Sequence, residues 1–173
     1  MTKKKFQPPW INEAPQKGSF RSIFKYGDPE GFKHPNKRLY DELKRAFELN
    51  DEDFRHPAST GNESVNLIKP SRLDPLHIRK FEEISGKENV SADEFDRLKY
   101  STGKTVEEAL KLRAHEVNKI TDLVIHPRTK KEVSEIVSWC NKQKIPLYIF
   151  GGGSSVNLGF YPEEGGITLV LST

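Results

Sequence analysis

The C-terminal third constrains this chain most, because short apolar runs alternate there with one amphipathic helix. Leu123-Val124-Ile125 is a first apolar run, ended by Pro127. Thr129 and Glu132 then stand at the S/T-x-x-E spacing of a capping box. Val133, Ile136, Val137 and Cys140 follow at i, i+3, i+4 and i+7. The spacing predicts a helix over 130–143 with one buried stripe. Pro146 to Phe150 is a second apolar run and Ile167 to Leu171 a third. Strand, helix and strand in this order make a βαβ unit, whose strands are expected to be parallel with a right-handed crossover. The expected fold class is α/β (α+β).

The second run leads directly into Gly151-Gly152-Gly153-Ser154-Ser155, with Gly159 a little further on. Glycine carries no Cβ, so a ligand can approach the backbone closely. Successive N–H groups in such a turn can converge on an anion, and phosphate is the natural guest. The loop follows the C-terminal end of a strand, which is where open α/β sheets bind ligands. Three named motifs fail here. A P-loop needs a lysine after its last glycine, and none follows. The dinucleotide fingerprint needs glycine where Val156 stands, and a helix where VNLGFYPEEGG is a poor one. A nucleophile elbow starting at Gly152 also fails at Val156. Spacing alone leaves a phosphate-cradling loop of another type or a structural turn.

Upstream, the signals are helical. Residues 1–36 are rich in Pro, Gly, Lys and aromatics (Phe6, Trp10, Phe20, Phe24, Tyr26, Phe32), and read either as an extended arm that docks by its aromatics or as a disordered tail. A helix is expected over 37–49 with Leu39, Leu43, Ala46 and Phe47 on one face. Asp74-Pro75 starts another that stops at Gly86, with Leu76, Lys80, Phe81 and Ile84 along it. Further capping boxes at Ser91/Glu94 and Thr105/Glu108 predict helices over 92–100 and 106–114. The organisation expected is an arm (1–36), a helical lead-in (37–118) and a C-terminal unit (119–173). The chain stops inside or beside a strand, so a truncated piece of a longer protein is expected.

Composition sets the remaining bounds. Of 173 residues, 34% are hydrophobic and 31% charged, so a sizeable core is expected only in the C-terminal third. A net charge of +3, with no basic stripe interleaved with aromatics, argues against a nucleic-acid partner. One cysteine rules out an internal disulfide or a Cys-rich metal site. No apolar run reaches the roughly 18 residues of a spanning helix, and no signal peptide is visible, so a cytoplasmic protein is expected.

The stretch DLVIHPRTKKEVSEIVSWCNKQKIPLYIFGGGSSVNLGF resembles the start of the FAD-binding domain of vanillyl-alcohol-oxidase (PCMH) type flavoproteins. The likeness is carried by Pro127, Glu132-Val133, Gly151 to Ser155 and Gly159. Asp96-Arg97, Tyr100-Ser101, Gly103 and Leu112-Arg113 are similar to the lead-in of the alkyldihydroxyacetonephosphate synthase (alkylglycerone-phosphate synthase) branch and its bacterial FAD-linked oxidase relatives. The resemblance covers roughly residues 80–173. It implies a helical lead-in followed by the first half of a PCMH-type FAD-binding domain. It implies that the backbone of Gly151, Gly152, Gly153, Ser154 and Ser155 holds the FAD diphosphate. The two serine hydroxyls would add hydrogen bonds, and Ile149 and Phe150 would stand at the flavin edge. The branch usually has Pro at 149 and Thr at 154, where this chain has Ile149 and Ser154. No His or Cys stands near the loop, so non-covalent FAD is expected. The whole enzyme would be an oxidoreductase or synthase acting on a small molecule. No catalytic acid or base can be assigned in this chain, and the piece alone is expected to be inactive. Self-association as a homodimer stays open.

The remaining candidates have plainer readings. His34, His56, His77, His115 and His126 show no metal-ligand spacing, although His126 follows the first strand and could approach the cofactor. Arg97 and Arg113 could fix a phosphate, or be solvated or salt-bridging helix residues. Lys3-Lys4-Lys5 reads as a solvated tail, and Cys140 as a buried core residue. The alternative from another class is a non-enzymatic phosphate-binding or protein-docking module.

Overall fold

The computed structural model describes residues 6, 15–23, 36–55, 60–66 and 69–172. Its helices and strands, in chain order, are α1 (Phe20–Ile23), α2 (Lys37–Ala46), α3 (Pro75–Ser85), a 3-10 turn (Lys87–Asn89), β1 (Val90–Ser91), α4 (Glu94–Lys99), α5 (Val106–Arg113), β2 (Leu123–Ile125), α6 (Lys130–Gln143), β3 (Leu147–Phe150) and β4 (Ile167–Val170).

Side-chain capping sets most helix starts. The Asp74 carboxylate accepts from the Leu76 amide with Pro75 in the first turn, and Gly86 at φ 84° ends α3. Thr105 and Glu108 form the reciprocal capping box expected for α5. At α6 the Thr129 hydroxyl accepts from the Glu132 amide, and the Glu132 carboxylate accepts from the Arg128 amide at 2.8 Å. The expected Ser91/Glu94 box is not formed. Val90 and Ser91 pair antiparallel with Ile125 and Val124, which commits Ser91 to the sheet. Asp93 takes over as the cap, accepting from the Phe95 and Asp96 amides.

The sheet order is β1-β2-β4-β3. β2 and β3 are parallel, as expected of the βαβ unit, but they do not touch, because β4 lies between them. Leu123 and Leu147 both stand opposite Ile167, from the two sides of β4. β4 is buried at every position, as a central strand covered on both faces should be. On one face Leu123, Ile125, Ile167 and Leu169 pack with Phe81 of α3 and with Ile136 and Cys140 of α6. On the other the Thr168 hydroxyl donates to the Tyr100 carbonyl just beyond α4, at 3.0 Å. A second cluster of Phe20, Ile23, Leu98, Leu112 and Ile120 ties α1 to α4 and α5.

Buried polar groups fasten the lead-in to the sheet. Arg97 is only 3% exposed. Its Nε donates to the Thr121 carbonyl at 2.9 Å and its Nη1 to the Lys69 carbonyl at 3.2 Å. It is therefore a buried staple, not the solvated or salt-bridging residue its helical setting suggests. The Asp122 carboxylate accepts from the amides of Arg72 (2.9 Å) and Gly166 (2.8 Å), joining the start of β2 to the turn before β4.

Two periodicity readings need correction. Helix α2 ends at Ala46, and the face through Leu39, Ala46 and Phe47 is exposed, with Phe47 at 66%. Tyr40 is its buried residue, flanked by Phe6 and Phe54 at ring-centroid distances of 5.4 and 5.2 Å. Val137 is 44% exposed although it shares the stripe of α6. That helix rolls instead onto Val133, Ile136, Trp139 and Cys140. Leu76 lies along α3 as expected and is exposed, while Ile78, Phe81 and Ile84 are the residues that helix turns to the core. Of the expected aromatic arm, Phe6 and Phe20 are both packed, while Trp10, Phe24, Tyr26, Phe32 and the Lys3-Lys4-Lys5 run lie outside the described residues. Among the described residues no helix is long and apolar enough to cross a membrane.

Candidate functional site

Strand β3 lies at the sheet edge and runs directly into the glycine loop at its C-terminal end. Ladder pairing closes when the Phe150 carbonyl accepts from the Leu171 amide at 2.9 Å. Beyond that point, among the described residues, no amide from Gly151 to Val156 donates to a protein acceptor. A Cβ added at Gly151 or Gly152 would meet nothing within 4 Å, so both backbones face open space. Gly153 differs: its φ of 65° is left-handed, and a Cβ would sit 2.6 Å from the Phe150 ring.

All seven residues singled out from the sequence, Ile149, Phe150, Gly151, Gly152, Gly153, Ser154 and Ser155, line one cleft of about 430 Å³. Ile149 is exposed on the edge strand. Phe150 is half-buried, its ring edge-on to Tyr100 at 4.9 Å and to Phe160 at 5.3 Å. Ser154 is exposed, and the Ser155 hydroxyl donates to the Asn157 side-chain oxygen at 3.0 Å. The lining holds no acidic or basic side chain. Its donors are backbone amides, hydroxyls and one carboxamide, the kind of set that binds an anion without a counter-ion.

The sequence reading missed the opposite wall, which Thr102 and Gly103 supply with help from Asn157, Gly159 and Phe160. The Lys104 amide donates to the Ser155 carbonyl at 2.6 Å, so the turn before α5 grips the far end of the loop. Gly103 permits this approach, since a Cβ there would lie 2.7 Å from the Ser155 oxygen. Behind the wall the buried Glu108 carboxylate accepts from the amides of Gly103 (2.7 Å) and Thr105 (2.9 Å) and from the Thr105 hydroxyl (2.8 Å). The Thr102 hydroxyl is buried and has no hydrogen-bond partner. The signal that could have found this wall was the capping box itself, which fixes the backbone just before it.

The other candidates sit elsewhere. His126 is one ring removed, edge-on to Tyr100 at 5.3 Å, and does not line the cleft. Burial pushes its pKa below 6.5. His115 stacks on Phe20 at 4.0 Å and lies 3.5 Å from the Glu63 carboxylate. His77 is edge-on to Trp139. His34 and His56 lie outside the described residues. Arg113 is exposed beside Gly61, away from the cleft. Among the described residues no group of three or more His, Cys, Asp or Glu gathers as a metal site. Burial raises the Cys140 thiol pKa to about 11, in keeping with its place in the core.

Comparison with known proteins places this geometry in a class. Residues 121–173, which hold β2, α6, β3, the glycine loop and β4, match the family model described as FAD binding domain. A solved structure of alkyldihydroxyacetonephosphate synthase shares the fold, with a TM-score of 0.56 at 21% identity over 60% of this chain and 20% of that one. Among curated proteins, the mitochondrial D-lactate dehydrogenase [cytochrome] of Arabidopsis thaliana is 34% identical over 34% of this chain and 10% of its own length. Glycolate oxidase subunit GlcD of Bacillus subtilis (strain 168) is 31% identical over 51% of this chain and 17% of its own. The chain therefore spans between a tenth and a fifth of the length of these relatives. Residues 121–173 are thus similar to an FAD-binding domain, and the fold is one shared with the synthase structure.

Proposed function

We propose that Gly151 to Ser155 bind the diphosphate of non-covalently held FAD in a flavin-dependent enzyme acting on a small molecule. The observation that carries this reading is the row of unengaged amides from Gly151 to Ser155, in residues that line a cleft with no acidic side chain at the C-terminal end of β3. A diphosphate matches those donors in charge and in number. Gly151 and Gly152 leave the backbone bare for close approach, while Gly153 turns the chain through a left-handed φ. Phe150, wedged between Tyr100 and Phe160, fixes where the loop begins. The Ser154 hydroxyl is free to add a donor from the exposed side. Ile149 borders the cleft with apolar surface suited to an aromatic ring.

FAD, when bound, supplies the hydride or electron chemistry, and the residues here hold and orient it. Two relatives are named for oxidising small 2-hydroxy acids, lactate and glycolate, and one structural neighbour for synthesising alkyldihydroxyacetonephosphate. We place this protein among such enzymes, with 1–36 as an arm, 37–118 as the lead-in and 119–173 as part of the flavin domain. Attachment is non-covalent because no His or Cys lines the cleft and Cys140 is buried in the core. The test is a visible absorption spectrum of the native gene product, followed by acid precipitation. An oxidised-flavin spectrum with all flavin released to the supernatant supports the reading. A colourless product that fails to take up added FAD overturns it in favour of a phosphate-binding or docking module. Flavin retained in the pellet overturns the non-covalent assignment.

A further inference from the structure

We infer that Thr102, on the wall opposite the glycine loop, is a further phosphate-binding residue whose hydroxyl donates to the bound diphosphate. The inference rests on the diphosphate reading of the cleft and extends it to a segment outside the matched domain. Three observations carry it. First, Thr102 is 3% exposed and its Oγ1 has no hydrogen-bond partner, although buried polar groups are nearly always paired. Second, Thr102 lines the same cleft as Gly151 to Ser155, where no charged side chain competes for an anion. Third, both neighbours of Thr102 are pinned, so its backbone cannot withdraw. The Ser101 hydroxyl donates to the Arg97 carbonyl at 2.5 Å and accepts from the Thr121 amide at 2.8 Å. The Gly103 amide donates to Glu108 at 2.7 Å.

An unpaired hydroxyl held in a rigid wall is a liability to the empty protein and an asset to the loaded one. Its partner must be an acceptor entering the cleft, and phosphate oxygens are the acceptors the facing amides select. Threonine populates more than one χ1 rotamer, so the hydroxyl can reorient toward an acceptor without moving the backbone. The diphosphate is then gripped from two sides, by amides of the glycine loop and by the hydroxyl of the lead-in.

Thr102→Val keeps the shape and removes the hydroxyl, and Thr102→Ser keeps the hydroxyl. Full-length protein is titrated with FAD by flavin fluorescence and, separately, with inorganic pyrophosphate by calorimetry. The thermal midpoint of each unliganded variant is read alongside. The expected result is a Kd raised about 10- to 100-fold for both probes in Thr102→Val. Its unliganded midpoint should be equal to or above wild type, because an unpaired buried polar group has gone. Thr102→Ser should bind within about threefold of wild type. Unchanged binding by Thr102→Val overturns the inference, as does a drop in both midpoint and affinity, which would mark a structural hydroxyl. Wild-type protein that binds pyrophosphate but not FAD overturns the flavin reading while Thr102 stands. Protein that binds neither overturns both.

Discussion

Replacing Gly103 with alanine tests the joint between the lead-in and the glycine loop. The new Cβ lands 2.7 Å from the Ser155 carbonyl oxygen and 3.0 and 3.1 Å from the two Glu108 carboxylate oxygens. Ordinary carbon–oxygen contacts begin at about 3.3 Å, so something must yield by roughly half an ångström. If Ser155 recedes, the 2.6 Å bond from the Lys104 amide is lost. If the carboxylate swings away, Gly103 and Thr105 lose their acceptor and the cap of α5 opens. A neutral hydrogen bond contributes about 1 kcal/mol and one to a charged group about 1.5–3 kcal/mol. The expected loss is about 2 kcal/mol, which lowers Tm by about 4–8 °C for a domain of this size. Circular dichroism melts, with urea titrations to confirm an unchanged slope, make the measurement. Gly151→Ala is the control: its Cβ meets nothing within 4 Å, and its stability should hold or rise by no more than about 1 kcal/mol. A Gly103→Ala melt within about 1 °C of wild type would refute the joint. Equal losses in the two variants would refute the steric argument.

Three further outcomes follow from the same geometry. Gly152→Ala should hold or raise stability by about 0.4–1 kcal/mol through the unfolded chain, yet lose FAD affinity because the methyl projects into the cleft; parallel melts and flavin titrations decide it, and unaltered affinity counts against the diphosphate site. The Cys140 thiol, buried and raised to about 11, should resist a disulfide reagent in the native protein and react at once in denaturant; rapid native labelling would show that α6 opens locally. His126 is depressed below 6.5 by burial when folded, so the unfolded chain takes up its proton first. Stability is therefore undiminished above about pH 6.5 and falls as pH drops from there toward the folded pKa. His126→Gln should flatten that part of the Tm–pH curve, and an unchanged slope would assign it to another group.

Local signals were legible where one short stretch determined the outcome. The Asp74-Pro75 start, the Gly86 stop, the Thr105/Glu108 box and helix α6 all lie where caps and spacing put them. What depended on distant partners was not. Val90-Ser91 is too short to show alternation, and it is a strand only because Ile125 and Val124 stand opposite. Val137 obeys the helical period yet is exposed, because the angle at which α6 lies on the sheet selects Trp139 over it. Arg97 carries a charge that composition assigns to the surface, and its burial follows from two carbonyls supplied by remote segments. The glycine loop was visible as a string of letters. The wall facing it was not, because Thr102 and Gly103 are brought to the loop by contacts between distant residues, Lys104 with Ser155 and Tyr100 with Phe150.

The position of β4 between β2 and β3 has a bearing on assembly. Strands β2 and β3 are made first during synthesis, but neither has a parallel neighbour until residues 167–170 emerge. Until then the glycine loop is tethered to a strand with nothing to pair against, and its amides have no fixed direction. Closing the sheet means threading a late segment between two earlier ones, a non-local step of the kind that slows folding. The anion cradle is therefore complete only once β4 is seated between β2 and β3, and whatever loosens β4 loosens the cradle with it.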